Sequence, residues 1–168
     1  MFFKNFIPDL YTDTIYDIDI EALKNSGIRA ILSDIDNTLV PYSEPVPTES
    51  VSEWYEKIRK ADISVALVSN NCTERVTAFN AQTSYPAIAD AHKPSKKPLA
   101  ILMDKLGVKP HETVMLGDQI FTDVLSGRLA GTYCILVKPI KDRTDILTRS
   151  KRVLERPFLR AYKRKQPS

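Results

Sequence analysis

What the chain has little of narrows it first. Two cysteines, Cys72 and Cys134, in 168 residues cannot form a disulfide framework, which excludes a stapled secreted scaffold and points to a reducing, cytoplasmic setting. Both read as core fillers. No apolar run approaches the ~20 residues that a membrane-spanning helix needs. Phe2, Phe3 and Phe6 stand near the N-terminus without a long apolar region or a small-residue cleavage site, so no signal peptide is expected. His92 and His111 have no metal-binding company, which argues against zinc. There is no internal repeat and no low-complexity stretch. What remains is 43% hydrophobic and 27% charged, ordinary for a globular chain with one core.

The net charge of +3 hides an asymmetry. Residues 141–168 hold ten Lys or Arg against three Asp or Glu, a surplus of +7, so the rest of the chain carries −4. The expected division is a domain over 1–140, including an N-terminal extension, and a basic amphipathic tail over 141–168. The tail's apolar positions are Val153, Leu154, Phe158, Leu159 and Tyr162.

Apolar strands are predicted at 29–32, 64–68, 87–89, 113–116 and 133–137, each followed by helical periodicity. Thr48 reads as an N-cap ahead of Val51, Trp54, Tyr55 and Ile58. The helix carrying Ile101, Leu102 and Leu106 should stop at Gly107. Ile18, Ile20, Leu23 and Ile28 suggest a short packed helix ended by Gly27. The alternation predicts a doubly wound, Rossmann-like α/β domain with a parallel five-stranded sheet and helices on both faces.

The first strand runs into Asp34 and Asp36, with Thr38 following. Two carboxylates this close raise one another's pKa unless a cation intervenes. Such a pair suits a hard metal, or a nucleophile beside a general acid, or merely a solvated turn. Three further polar pieces decide between these. Ser69 and Asn70 follow the second strand, Lys93 the third, and Asp118 and Asp123 the fourth. Ligands of open parallel sheets bind beyond the carboxyl ends of the strands, so the four pieces can meet in one crevice. The chemistry that needs them together is phosphoryl transfer: carboxylates for Mg²⁺, an ammonium against phosphate charge, a hydroxyl for phosphoryl oxygens and an aligned nucleophile.

Residues 34–38 (D-I-D-N-T), 68–70 (V-S-N), 93–94 (K-P) and 117–123 (G-D-Q-I-F-T-D) resemble the four motifs of the haloacid dehalogenase (HAD) superfamily. The resemblance implies a HAD-like fold. It makes Asp34 the nucleophile and Asp36 the general acid and base, its backbone carbonyl also a Mg²⁺ ligand. Lys93 would stabilise the intermediate, and Asp118 would bind Mg²⁺, with Asp123 assisting directly or through water. Thr38, Ser69, Asn70 and Lys97 fall on the substrate side, Thr38 by supporting the loop. Lys97, also before a proline, competes with Lys93 for the cation role. The resemblance favours Lys93, because the distance from Lys93-Pro94 to Leu106-Gly107 fits the family's K-P…L-G layout.

The gaps from Thr38 to Ser69 and from Ser69 to Lys93 are too short for a cap domain, so the site should be open. Further stretches, P-D-L-Y at 8–11, A-x-K-P-S-K-K-P-L at 91–99 and I-L-V-K-P-I at 135–140, resemble the capless YqeG-type branch (subfamily IIIA). That branch is similar to mitochondrial phosphatidylglycerophosphate phosphatase. By that resemblance the substrate is phosphatidylglycerophosphate, an anionic phospholipid. The +7 tail, with Phe158, Leu159 and Tyr162, either lies peripherally at the inner face of the cytoplasmic membrane or packs back on the domain. The other readings are a soluble phosphatase of sugar phosphates or nucleotides, an RNA- or ribosome-associated module, and a receiver-like phospho-switch. A soluble phosphatase should keep its activity without residues 150–168. No stacking motif or nucleic-acid fold supports an RNA partner, and none is expected.

Overall fold

Six parallel strands lie in the order β1-β6-β5-β2-β3-β4 in a computed structural model that describes residues 2–141 and 146–164. They are β1 (Leu10–Thr12), β2 (Ala30–Ser33), β3 (Ser64–Val68), β4 (Ala87–Ile88), β5 (Thr113–Gly117) and β6 (Tyr133–Val137). The helices are α1 (Ile20–Asn25), α2 (Glu49–Lys60), α3 (Thr73–Asn80), α4 (Lys97–Leu106), α5 (Leu125–Ala130) and α6 (Ile146–Lys163).

Strand alternation sends successive side chains to opposite faces, and this sorts the helices into two layers. Ile31, Val65, Leu67, Val114, Leu116, Ile135 and Val137 face α1, α2 and α3. Leu32, Ala66, Val68 and Met115 face α4, while Cys134 and Leu136 meet Phe6 and Val124. Thr48 caps α2 by accepting from Val51 N at 3.3 Å, and Val51, Trp54, Tyr55 and Ile58 are buried as the spacing requires. Gly107 ends α4 with φ +65°. The buried face of α4 is Leu99, Leu102 and Met103, so the expected Ile101 instead points outward.

The sheet has one strand more than the sequence predicts. Strand β1 is three half-buried residues after Pro8, too short to show alternation. Tertiary contacts place it. Asp9 N donates to Cys134 O at 2.9 Å, Asp9 Oδ2 accepts from Cys134 N at 2.8 Å, and Arg128 Nη2 donates to Asp9 Oδ1 at 2.8 Å. Between Thr38 and Ser69 the chain holds a loop, α2 and β3, and between Ser69 and Lys93 only α3 and β4, so neither gap inserts a cap.

The tail forms α6, and its second half lies against the domain. Phe158 stacks within 4.7–5.8 Å of Phe3, Phe6 and Phe121, and Tyr162 Oη accepts from Tyr11 N at 3.1 Å. The side chain of Val153 lies outside the described residues.

Candidate active site

All four polar pieces converge beyond the carboxyl ends of β2 to β5. Strand β2 stops at Ser33, and Asp34 N still reaches Leu116 O at 2.9 Å. The chain then turns sharply. Asn37 takes φ +63°, a left-handed conformation that Asn tolerates, and its N–H donates to Val40 O at 2.7 Å. This turn aims Asp34 and Asp36 into a crevice of about 210 Å³.

Strand β5 delivers the next two carboxylates. Asp118 follows Gly117 directly, and a π-helical turn, Ile120–Val124, brings Asp123 back over the strand end. Gly117 makes that return fit, because a Cβ there would lie 2.2 Å from Asp123 Cγ. Asp123 Oδ2 accepts from Gln119 N at 3.0 Å.

Lys93 arrives from the loop after β4. Its Nζ donates to Asp34 Oδ1 and to Val68 O, both at 2.9 Å, and pairs with Asp123 Oδ1 at 2.7 Å. Its side chain is only 2% exposed. Asn70 clamps the Lys93 backbone: its Oδ1 accepts from Lys93 N at 2.7 Å and its Nδ2 donates to Lys93 O at 3.3 Å.

Three carboxylates and one ammonium share this buried space. Burial pushes the Asp34 carboxyl up, Lys93 pulls it back, and Asp123 and Asp118 push it up again, so it reaches about 7 from 3.8. Burial alone would lower Lys93, but Asp123 and Asp34 outweigh it and hold the ammonium well above its ordinary range. One ligand oxygen from each of Asp34, Asp118 and Asp123 lies within 4.8 Å of the others. A surplus of buried negative charge presented as oxygen donors fits a divalent hard cation. Both Asp123 oxygens are already engaged, so Asp123 would support such an ion through water.

Asp36 stands apart from this cluster. Its Oδ1 accepts from Arg75 Nε at 3.1 Å and Nη2 at 2.9 Å, and its Oδ2 accepts from Asn71 Nδ2 at 2.9 Å. Of the residues expected on the substrate side, Ser69 and Asn70 line the crevice. Thr38 is buried beside it, with Oγ1 3.5 Å from Asp118 Oδ1, and supports the loop. Lys97 is not brought in: it stands exposed on the first turn of α4, and Lys93 alone of the two reaches Asp34.

Further residues complete the site. Tyr42 and Asn71, outside the motifs, and Gln119 and Thr122, within the fourth, also line the crevice. Arg75 and Phe79 stand one turn apart on α3, and that i, i+4 spacing is the signal that could have flagged Arg75. Glu155 was missed as well: from the tail it accepts from Ile120 N at 2.9 Å, two residues past Asp118. A tail bonded to the catalytic loop changes the expectation for truncation, since removing residues 150–168 would strip that loop of an acceptor in any phosphatase reading.

Comparison with known proteins places this site. Residues 3–141 match the family model described as mitochondrial PGP phosphatase. The chain is 38% identical over 162 residues to "Probable phosphatase YqeG" of Bacillus subtilis, covering 96% of this chain and 94% of that one. It is 27% identical to the Arabidopsis thaliana chloroplastic/mitochondrial phosphatidylglycerophosphate phosphatase 1, over 95% of this chain and 49% of that protein. Among solved structures, the cobalt-bound deoxy-D-mannose-octulosonate 8-phosphate phosphatase of Haemophilus influenzae superposes with a TM-score of 0.53 at 16% identity. That match covers 83% of this chain and 91% of the other, a likeness of fold alone. The chain therefore belongs to the mitochondrial PGP phosphatase family and is a HAD-type phosphatase of the YqeG branch.

Proposed function

We propose that this phosphatase is a Mg²⁺-dependent phosphomonoesterase that works through a phosphoaspartyl intermediate on Asp34, and that its substrate is phosphatidylglycerophosphate. The observation that carries the mechanism is the contact of Lys93 Nζ with Asp34 at 2.9 Å, at the floor of a crevice with no cap over it among the described residues. The ammonium offsets charge beside a carboxylate that lines the crevice together with Ser69 and Asp118.

In the first step an oxygen of Asp34 attacks phosphorus, the bond from phosphorus to the ester oxygen breaks, and Asp36 gives its proton to the departing alcohol. In the second step Asp36 takes a proton from water. The water oxygen attacks phosphorus, the bond to Asp34 breaks, and inorganic phosphate leaves. Ser69 Oγ accepts from Asn71 N at 3.0 Å, which leaves its O–H as a donor for a phosphoryl oxygen. Asp34, Asp118 and the Asp36 backbone carbonyl would hold Mg²⁺, with Asp123 assisting through water, and the ion when bound would offset negative charge on the phosphoryl oxygens.

The lipid assignment is supported by the family, by the uncapped crevice and by the surface beside it. Arg156, Arg160 and Lys163 are exposed on α6 and Arg164 just beyond it, with Leu154 61% exposed and Phe3 50% exposed nearby. An anionic membrane attracts such cations by about 1 kcal/mol each near its surface. Glu155 and Phe158 fix this helix to the catalytic loop, so the cationic face and the crevice move together. No helix among the described residues is long and apolar enough to cross a membrane, so the contact proposed is peripheral, at the inner face of the cytoplasmic membrane.

The test is phosphate release from phosphatidylglycerophosphate in mixed micelles, beside a panel of soluble phosphate esters. Turnover of the lipid should exceed that of every soluble ester, stop with EDTA, return with Mg²⁺ and vanish in Asp34→Asn. Activity confined to soluble esters would discard the lipid. Activity that survives Asp34→Asn would discard the mechanism.

A further inference from the structure

Arg75 lies outside every sequence motif, yet it joins three parts of the active-site wall. Its Nε and Nη2 donate to Asp36 Oδ1 at 3.1 and 2.9 Å. Its Nη1 donates to the carbonyl of Pro45, in the loop 41–47, at 3.0 Å. Its guanidinium carbon sits 5.6 Å from the centre of the Phe79 ring. The side chain is 11% exposed and that of Asp36 15%, so this is not a solvated surface pair.

The geometry is more specific than charge neutralisation requires. Two donors of one planar group meet a single carboxylate oxygen, while Asn71 Nδ2 holds the other at 2.9 Å. Asn71 is itself fixed, its N–H on Ser69 Oγ at 3.0 Å and its Oδ1 accepting from Cys72 N at 2.8 Å. An Asp side chain on a turn would otherwise sample several rotamers. Here the torsions that carry the carboxylate are set from both sides, by a guanidinium anchored on α3 and by an amide anchored on the loop after β3. A displacement of about 1 Å in such a group can cost about 10²-fold in rate.

We propose that Arg75 is a positioning residue for the leaving-group side of the reaction. It holds the Asp36 carboxylate against the loop 41–47, so that Asp36 meets the ester oxygen as that oxygen departs from phosphorus. The proposal rests on the phosphomonoesterase reading above, in which Asp36 serves the leaving oxygen. The same tie makes the loop carrying Tyr42, at the crevice mouth, one mechanical unit with Asp36. Lysine keeps the charge but cannot supply three donors in a planar fork, so Arg75→Lys separates positioning from electrostatics.

The experiment compares kcat/KM for two esters that differ in their need for a proton. p-Nitrophenyl phosphate releases a stabilised phenolate, whereas glycerol 3-phosphate must release an alcohol. Because kcat/KM reports the steps through formation of the phosphoaspartate, it isolates the departure of the ester oxygen. Arg75→Lys and Arg75→Gln should lose at least about tenfold more on glycerol 3-phosphate than on p-nitrophenyl phosphate, within the 10²–10⁴ that a general acid contributes. The excess loss should fall on kcat rather than KM. Asn71→Ala, which leaves the guanidinium in place, should show the same bias at smaller size and keeps the test open if the Arg75 variants do not fold. Equal losses on the two esters, or a loss confined to KM, would overturn the proposal while leaving the phosphatase reading intact. Wild-type protein inactive on both esters and on phosphatidylglycerophosphate would overturn the two together.

Discussion

The two walls of the crevice are built on different principles. On the wall that carries the proposed nucleophile, Asp34, Asp118, Asp123 and Lys93 are all buried, and their charges do not balance. On the wall proposed to serve the leaving group, Asp36 meets one guanidinium at the rim, with an amide completing the set. The first wall is costly to fold and gains from an added cation. The second carries no surplus of negative charge and gains little from one. A buried charge is tolerable only when its partners cancel it, and the nucleophile wall is short of positive charge until a metal arrives.

The contrast sharpens when one member of the buried pair is removed. Lys93→Met leaves three buried carboxylates facing one another, and loss of one partner from a buried pair costs about 3–5 kcal/mol. The variant should melt well below wild type in metal-free buffer, by about 2–4 °C for each kcal/mol, and should recover part of the loss with Mg²⁺. A melting temperature equal to wild type would mean that Lys93 does not hold this wall together.

Asp34→Asn should move stability the other way. Its carboxyl sits at about 7 in the folded chain against 3.8 ordinarily, because burial opposes its ionisation. A raised carboxyl contributes stability that is complete below about pH 4 and is lost as the pH climbs through about 7. Asparagine carries no such penalty. The variant should therefore melt several degrees above wild type at pH 8 without metal, with the gap closing toward pH 5 and again on adding Mg²⁺ to the wild type. A gap independent of both pH and Mg²⁺ would show that Asp34 is not the strained member.

How far each wall could be read from the sequence follows the same division. Asp34, Lys93, Asp118 and Asp123 sit where an apolar strand gives way abruptly to polar residues, and the alternation of strands and helices places all those ends on one edge. Five strands could be read in this way because each is an apolar run. Strand β1 could not, because three residues show no alternation and what places them is pairing with β6 and the contacts of Asp9 with Cys134 and Arg128, more than a hundred residues away. Arg75 and Glu155 were hidden for a related reason. Each is an ordinary charged residue on an amphipathic helix, and only the packing of α3 and α6 turns it toward the site. Lys97 shows the converse: the dipeptide Lys-Pro occurs twice, and the sequence alone does not say which copy the loop after β4 carries inward.

The tail helix allows a finer version of the comparison, because α6 touches the domain through two polar anchors of similar kind. Glu155 accepts from Ile120 N at 2.9 Å on the catalytic loop, and Tyr162 accepts from Tyr11 N at 3.1 Å on the edge strand. Glu155→Ala leaves a buried N–H without this acceptor, a cost of about 1–3 kcal/mol. Tyr162→Phe removes only a partly buried bond, worth about 1 kcal/mol. Both should lower the melting temperature, Glu155→Ala by more. Activity should separate them more clearly than stability does. Ile120 opens the π-helical turn that returns Asp123 to Lys93, so Glu155→Ala should slow turnover several-fold at a temperature where the protein is fully folded. Tyr162→Phe should leave turnover within about twofold, because Leu10–Thr12 lies at the sheet edge, separated from β5 by β6. Equal effects on turnover would mean that α6 acts on the site only through the stability of the whole domain. Unequal effects would make its second half a working part of the active site.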